Sequence, residues 1–455
     1  MAIPGSGAIS LNTIAGEFGG STPHSLSEYY AGGSYVASGT GSVPSSGEIQ
    51  LATDFYGTSA YAAPSYISTP TAGSAAVYDS GGNSSGYMAV AYSGSNKGVI
   101  VYHDVASGHK GKACVFTVSG SSISFGTRYQ FHNYRVSHLD VVFDPNDSTK
   151  FIITFQSHGS WEGKAVCGSV SGTSISFGSE VAFNSSSVEY TSVDFIAGTS
   201  GKFITAFKRS GYGSAVVGTR SGTSLSFGSI YNFQSYSTAY VEVSCDPNNN
   251  GKFVIAYRNT SPSVHNPYAL SGSVSGTSIS YGTHVSAFDT QCAYISIDFD
   301  PYNAGKFVLT TTGTDNNGRA AVGTVSSSGA GSSISFGSVS TFTTTKMYYS
   351  SAAYVPGARE GKFLTFYRGQ TPQISGNYGK GISCEIGTVA SSGAGTTLSW
   401  SSELGMGSTS HYYRLKHGNY LAADPVNRGK FVAVYADGST SPTYQGTARV
   451  ISIVS

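Results

Sequence analysis

The chain of 455 residues is poor in charge: only 11% of it is Asp, Glu, Lys or Arg, and the two signs nearly cancel to +1. A protein that grips a nucleic-acid backbone carries a basic excess, and none is written here, so nucleic acid is not an expected partner. No run approaches eighteen apolar residues, so no membrane-spanning helix is expected. The opening "MAIPGSGAIS" has neither a basic stretch nor an apolar core, so a secretory leader is not expected. The five cysteines (Cys114, Cys167, Cys245, Cys292, Cys384) are scattered without a CxxC pair, a pattern of reduced structural thiols rather than a disulfide framework or a zinc site. Sizeable helices are also missing, and with them any phosphate-cradling glycine loop at a helix start. What the chain has instead is 59 glycines, 32 tyrosines and abundant Ser and Thr, a composition for short strands and tight turns.

These strands repeat. "GSVSGTSISFG" (168–178) returns as "GSVSGTSISYG" (272–282), and the aromatic of this phrase recurs at Phe125, Phe177, Phe227, Tyr281, Phe336 and Trp400. A second phrase, Lys-Phe followed by an apolar run, places Phe at 151, 203, 253, 307, 363 and 431, and "GYMAVAY" reads as a degenerate first copy with Met88 at the anchor. The seven anchors are 63, 52, 50, 54, 56 and 68 residues apart, a period of arrays and propellers. "KFVIAYR" is apolar on both faces, as a covered strand is, whereas "GTSISYG" alternates as a half-exposed one does. A further strand ends in Asp-Pro at Asp144, Asp246, Asp300 and Asp424, each six residues before its anchor lysine, and Asp-Pro opens a turn. Each repeat is thus four antiparallel strands: a ("VxFDP"), b ("KFVIAY"), c ("GxAxVGTV") and d ("TSISFG").

The expected fold is therefore all-β: a seven-bladed β-propeller of four-stranded antiparallel blades over residues 59–455, preceded by a small Gly/Ser-rich N-terminal module over 1–58. The last repeat stops at "ARVISIVS", a c strand with no d strand after it. The stretch near Tyr66–Thr69 is expected to supply that outer strand and close the ring, with "AAVYDSGG" as the first a strand.

Of the two faces of such a scaffold, the a–b and c–d turns are nearly constant, while the b–c and d–a loops vary. Loops on a rigid frame are where recognition sits. The candidate ligand-binding residues on that face are Trp161, Tyr212, His265, Tyr268, Tyr378 and Tyr444 from b–c loops. Tyr134, Arg135, Tyr413 and Arg414 come from "HNYRVSH" and "HYYRLKH". Tyr and Trp supply stiff amphipathic area among adaptable Ser, Gly and Asn. No catalytic set, metal site or cofactor is expected. The Asp-Pro aspartates recur because a turn recurs, and His103 and Asp104 are strand neighbours that point to opposite sides. "DPNNNG" (246–251) opens like a calcium loop but has Tyr257 where a bidentate Glu is needed.

Residues 1–58 obey other rules. "IPGSGAISL" (3–11) returns as "VPSSGEIQL" (43–51), and "SLSEYY" carries the capping-box spacing Ser25-x-x-Glu28. Pro4, Gly7, Ile9 and Leu11, "EFGG" (17–20), "SLSEYY" (25–30) and "DFYG" (54–57) make this module resemble the N-termini of structural proteins of marine tailed bacteriophages, notably cyanophages. The blade phrase is similar to repeats in virion and tail-fibre-like proteins of that group, so the resemblance covers most of the chain. It implies a non-enzymatic component exposed on the virion, assembled in the host cytoplasm. Residues 1–58 would then contact other virion proteins, an oligomer in the particle would be compatible, and the propeller would offer its variable face to a host-surface glycan or protein. The rival expectations are a capsid or tail decoration protein with a structural propeller and a polysaccharide depolymerase.

Overall fold

In the computed structural model the described residues are 10–18, 26–30, 36, 43–47, 49–54, 64–81, 84–94, 96–260, 265–288, 291–326, 333–344, 346–370, 381–406, 413–416, 418–440 and 443–455. The chain divides into two compact units, Met1–Pro64 and Ser65–Ser455.

The first unit contains a helix at Leu11–Phe18, a 3-10 turn at Leu26–Tyr29 and a short helix at Leu51–Asp54. Ser10 begins the first helix, accepting the Thr13 N–H on Oγ at 3.2 Å. Ile14, Phe18, Tyr29, Val36 and Val43 are buried together as a small core. The expected turn over "SLSEYY" is present, while Ser25 lies outside the described residues.

The second unit is all-β and antiparallel: among the described residues it has three five-stranded sheets, one of six strands and eleven strands linked into one sheet through long shared strands. One of them shows the pattern: Thr238–Cys245 pairs with Lys252–Asn259, that with Pro267–Ser275, and that with Ser278–Tyr281. These are strands a to d as read from the repeat. Asp246 closes the a–b turn: its N–H donates to the Lys252 carbonyl at 2.9 Å, and its Oδ1 accepts the Asn248 N–H at 2.9 Å. That turn chemistry explains the recurring Asp-Pro. Ser122–Asp144 and Val181–Phe195 are long enough to serve as the d strand of one sheet and the a strand of the next.

A cross-strand contact between b and c recurs in all repeats but the last, where Phe431 lies opposite Ile451. Phe151 lies opposite Gly168, Phe203 opposite Gly218, Phe253 opposite Gly272, Phe307 opposite Gly323 and Phe363 opposite Gly387. The ring lies flat over the glycine, so a Cβ at Gly272 would overlap Phe253 Cζ. These phenylalanines are fully or almost fully buried, each a contribution of about 1.5–3 kcal/mol.

The first repeat corrects its expected phase. Ser84–Tyr92, which contains Met88, is strand a, and Lys97–Asp104 ("KGVIVYHD") is strand b. Lys97 faces Thr117 as Lys150 faces Ser169 and Lys252 faces Ser273. The Lys-Phe signature is missing because the two partners have traded places: Gly98 is on strand b and Phe116 on strand c, and a Cβ at Gly98 would overlap the Phe116 ring. From Lys97 the first interval becomes 53 residues (150 − 97), in step with the others. "AAVYDSGG" is accordingly not the first a strand; Ala76–Asp79 pairs with Thr443–Val454, with Ala76 opposite Ala448.

Tyr66–Ala72 also pairs with Thr443–Val454, with Tyr66 opposite Val454 and Ala72 opposite Ile451. Neighbouring sheets touch through their a strands. The a strand of the last repeat, Leu421–Ala423, packs against Lys346–Tyr354 on one side and Ser84–Tyr92 on the other.

Because ring and glycine form one interlocking contact, Gly272→Ala is expected to cost about 1–3 kcal/mol through overpacking. In the first repeat, Gly98→Phe should be severely destabilising, and adding Phe116→Gly should recover only the part of the loss due to the ring, because a Cβ at Gly98 also overlaps the Ala91 carbonyl. Urea unfolding of the two single variants and the double variant measures the coupling.

Candidate binding face

Strand a of each sheet begins with a register irregularity: between Ser137 and Asp140, Glu189 and Ser192, Ala239 and Glu242, Ala293 and Ser296, and Tyr348 and Ser350. One side chain at each break has a left-handed backbone: His138 (φ 47°), Tyr190 (54°), Tyr240 (51°), Tyr294 (60°) and Tyr349 (50°). For L-residues this conformation costs about 1–2 kcal/mol, so five in corresponding positions must be held by their surroundings. Part of the hold is visible. The freed carbonyls are captured by the next sheet, with Thr191 Oγ1 donating to the His138 carbonyl and Ser350 Oγ to the Tyr294 carbonyl.

The bulge turns these rings toward one another. Together with Tyr87 they form a collar in which each ring touches the next. The centroid separations are 5.3 Å (Tyr87–His138), 4.9 Å (His138–Tyr190), 5.3 Å (Tyr190–Tyr240), 5.1 Å (Tyr240–Tyr294) and 4.1 Å (Tyr294–Tyr349). These are tilted and edge-to-face contacts of the kind aromatic rings favour. All six rings are half-buried. The corresponding place in the last repeat is Gly418 (φ 151°), where a Cβ would overlap the Met88 carbonyl. Cations rest on the collar: Arg258 lies 4.7 Å from the Tyr240 centroid, Lys416 4.7 Å from Tyr87, Lys208 5.9 Å from Tyr190 and Arg368 5.7 Å from Tyr349. Burial pushes the Tyr190 hydroxyl up to about 12 and raises Tyr240 and Tyr349 further, so the collar keeps its hydroxyl protons.

Two residues past each collar position, the chain lines a cavity of about 580 Å³ between the a strands. Asp140, Asp194, Glu242 and Asp298 face it. The three aspartates clamp neighbouring sheets. Asp140 Oδ2 accepts the Val193 N–H at 3.0 Å, Asp194 Oδ2 the Cys245 N–H at 2.7 Å and Asp298 Oδ2 the Tyr354 N–H at 2.7 Å. Ser192 and Ser296 Oγ do the same for Val243 (3.1 Å) and Ala352 (3.0 Å). Burial raises Asp194 and Asp298 to about 7 and Asp140 to about 6, against the pull of their backbone donors.

The residues expected from the sequence to bind are placed unevenly. Tyr134 and Trp161 are exposed (63% and 50%) and come together around one loop with the exposed Arg135: the Trp161 ring is 4.3 Å from His158, whose N–H donates to the Arg135 carbonyl at 2.9 Å. Tyr212 is exposed at a tight turn in the next sheet. Tyr268 stacks on the buried Tyr257 at 6.0 Å, and Tyr444 packs against the main core, so both serve packing. His265 accepts the Cys292 N–H on its backbone carbonyl at 2.7 Å. Tyr413 and Arg414 pair through their backbones with Asp437 and Ala436, while their side chains and all of Tyr378 lie outside the described residues. His103 and Asp104 do diverge: His103 Nε2 meets His109 Nδ1 at 2.5 Å, and Asp104 pairs with Lys112 at 2.5 Å. All five cysteines are buried and unpaired. Among the described residues no group of His, Cys, Asp and Glu is arranged to hold a metal ion.

The collar was missed although its signal is in the sequence. Tyr87, His138, Tyr190, Tyr240, Tyr294 and Tyr349 each stand six residues before the turn residue of their repeat: Ser93, Asp144, Ile196, Asp246, Asp300 and Val355. That column becomes readable only once the first repeat is in phase and the turns without Asp are aligned with those that have it.

No protein-family model matches the chain, and no curated protein matches it. Among solved structures, AofleA from Arthrobotrys oligospora is similar at 8% identity over 74% of this chain and 90% of its own, with a TM-score of 0.46. Chaetomium thermophilum Sqt1 is similar at 10% identity over 86% of this chain and 98% of its own (TM-score 0.45). The same protein bound to the N-terminus of the ribosomal protein L10 gives 11%, 85%, 99% and 0.44. At these values the likenesses bear on neither ligand nor partner.

The carboxylate clamps have a pH signature. Asp194 in the folded chain takes up its proton below about 7, whereas an unfolded Asp does so only below about 4. Between those values the folded state binds more protons, so this contribution to stability falls as pH rises. Asp194→Asn cannot titrate. Its stability relative to the native chain is therefore expected to improve from pH 5 to pH 7, by up to ~1.4 kcal/mol per pH unit. Chemical denaturation at pH 5, 6, 7 and 8 checks the slope; a flat profile would mean that the carboxylate is ionised throughout.

Proposed function

We propose that the repeats form a seven-bladed β-propeller closed into a ring, and that the chain is a non-enzymatic adhesin of tail-fibre or receptor-binding type in a tailed-phage virion. On this reading the collar face holds a host-surface glycan and residues 1–58 contact other virion proteins.

Ring closure is supported by the pairing of Tyr66–Ala72 with Thr443–Val454 and by one repeated contact. After four of the d strands a glycine sits beneath the c–d hairpin of the following sheet: Gly126 under Thr173, Gly178 under Thr223, Gly228 under Thr277 and Gly337 under Thr396. Gly73, which ends the strand supplied from ahead of the first sheet, sits in the same way under Ser121 of that first sheet. The contact of Gly73 with the first sheet is thus of the kind that joins those four sheets to their successors, which supports closure. The virion placement is supported by the resemblance of the N-terminal module and the blade phrase to phage structural proteins.

The observation that carries the binding reading is the collar. Five side chains are held in a costly backbone conformation at corresponding positions, and the result is a half-exposed circle of aromatic faces. Such strain gathers where a ligand is clamped. Sugar rings present C–H faces that lie on aromatic rings and hydroxyls that bond to adaptable polar loops. The buried Asp140, Asp194 and Asp298 are committed to backbone N–H groups between sheets, which gives them a structural role.

The test is a microarray of bacterial surface polysaccharides probed with the full chain. Binding to a subset is expected, and Tyr240→Ala with Tyr294→Ala should weaken it about tenfold or more, or ~1.4 kcal/mol, while cooperative unfolding is retained. A blank array would reject the glycan reading. Immunogold labelling confined to the capsid lattice of the particle would favour a decoration protein instead.

A further inference from the structure

The near-zero net charge of the chain conceals a local concentration. Arg135, Arg258, Arg368 and Lys416 all border the collar. Arg258 and Arg368 lie over collar rings, and Lys416 covers Tyr87. Arg135 and Lys416 both act on His103, which stacks on Tyr87 at 6.2 Å. Lys208 belongs to the same border but is paired with Glu189 at 3.2 Å, so it adds little net charge.

Arg258 is the informative member. Its guanidinium lies on the Tyr240 face, and one N–H donates to the Cys292 carbonyl at a long 3.4 Å. Its Nε is buried with no hydrogen-bond partner. Among the described residues neither Arg258 nor Arg135 is in an ion pair. A half-buried guanidinium with unused donors and no carboxylate is unfavourable unless something supplies the negative charge. Its planar fork matches a carboxylate, sulfate or phosphate group. Glu189 and Glu242 are the acidic groups near the collar: the first is engaged by Lys208, and burial raises the second well above the usual carboxylate range.

We propose that the collar face is an acidic-glycan site, in which Arg258, with Arg135, Arg368 and Lys416, binds the anionic substituents of a polysaccharide while the collar rings take the sugar faces. This rests on the glycan reading above and narrows it from sugars in general to uronate-, sulfate- or phosphate-bearing ones.

The probes are polygalacturonate, which has a carboxylate on every sugar, and its fully methyl-esterified form, which keeps the sugar and removes the charge. The full chain is titrated with each by calorimetry at low salt. The acid polymer is expected to bind at least tenfold more tightly than the ester. Arg258→Gln should lower affinity for the acid polymer about tenfold and leave the ester unchanged, and Arg258→Lys should recover part of the loss. Thermal unfolding of both variants shows whether the site is otherwise intact, and the Lys variant keeps the test decisive if the Gln variant is unstable. Equal affinity for acid and ester overturns the anionic site and leaves the glycan reading standing. Binding of neither polymer by a chain that binds neutral glycans on the array has the same consequence. Duplex DNA bound as tightly as polygalacturonate would reduce the effect to unspecific charge and also overturn the proposal.

Discussion

The edge of each a strand is the constraint on which the rest of this structure depends. A strand that faces the next sheet rather than a hydrogen-bonded neighbour leaves N–H groups without a ladder partner, and an orphaned buried N–H is expensive. Here the adjoining sheet supplies acceptors from side chains: Asp140 to Val193, Ser192 to Val243, Asp194 to Cys245, Ser296 to Ala352 and Asp298 to Tyr354. The clamp sets the lateral spacing of the sheets. That spacing in turn sets the width of the cavity and the contact of each collar ring with the next. Carboxylates that look like catalytic candidates by location are, by their hydrogen bonds, the mortar between sheets.

Within every sheet but the last, a large residue on one strand faces no side chain at all on the next. Phenylalanine on one strand and glycine on the next share a single volume, and which strand holds which is of little consequence to the core. The first repeat makes the point, since Gly98 and Phe116 exchange roles and the lysine register is kept. A search for Lys-Phe therefore slips by one strand there, although the physical contact it stands for is intact.

Charge shows the same gap between composition and arrangement. A chain with a net charge of +1 gives no reason to look for an anionic ligand. Folding places the b-strand ends Lys208, Arg258 and Arg368 beside one collar and spends much of the acid elsewhere, in turns such as Asp246 and in clamps such as Asp194. Electrostatic recognition depends on where charges converge rather than on their sum.

The sequence by itself determined the strand content, the order of strands in the repeats after the first and the Asp-Pro turns, because periodicity and turn chemistry are local properties written residue by residue. Tertiary structure alone decided which aromatics come together. Trp161 and Tyr212 were visible as loop residues, and Tyr268 and Tyr444 turned out to pack inward. The collar tyrosines hide inside strands, at bulges that no pattern of alternation announces. At His138 and Tyr294 a hydroxyl of the next sheet holds the carbonyl that the bulge sets free, and a contact between residues some fifty positions apart cannot be read until the chain has brought them together.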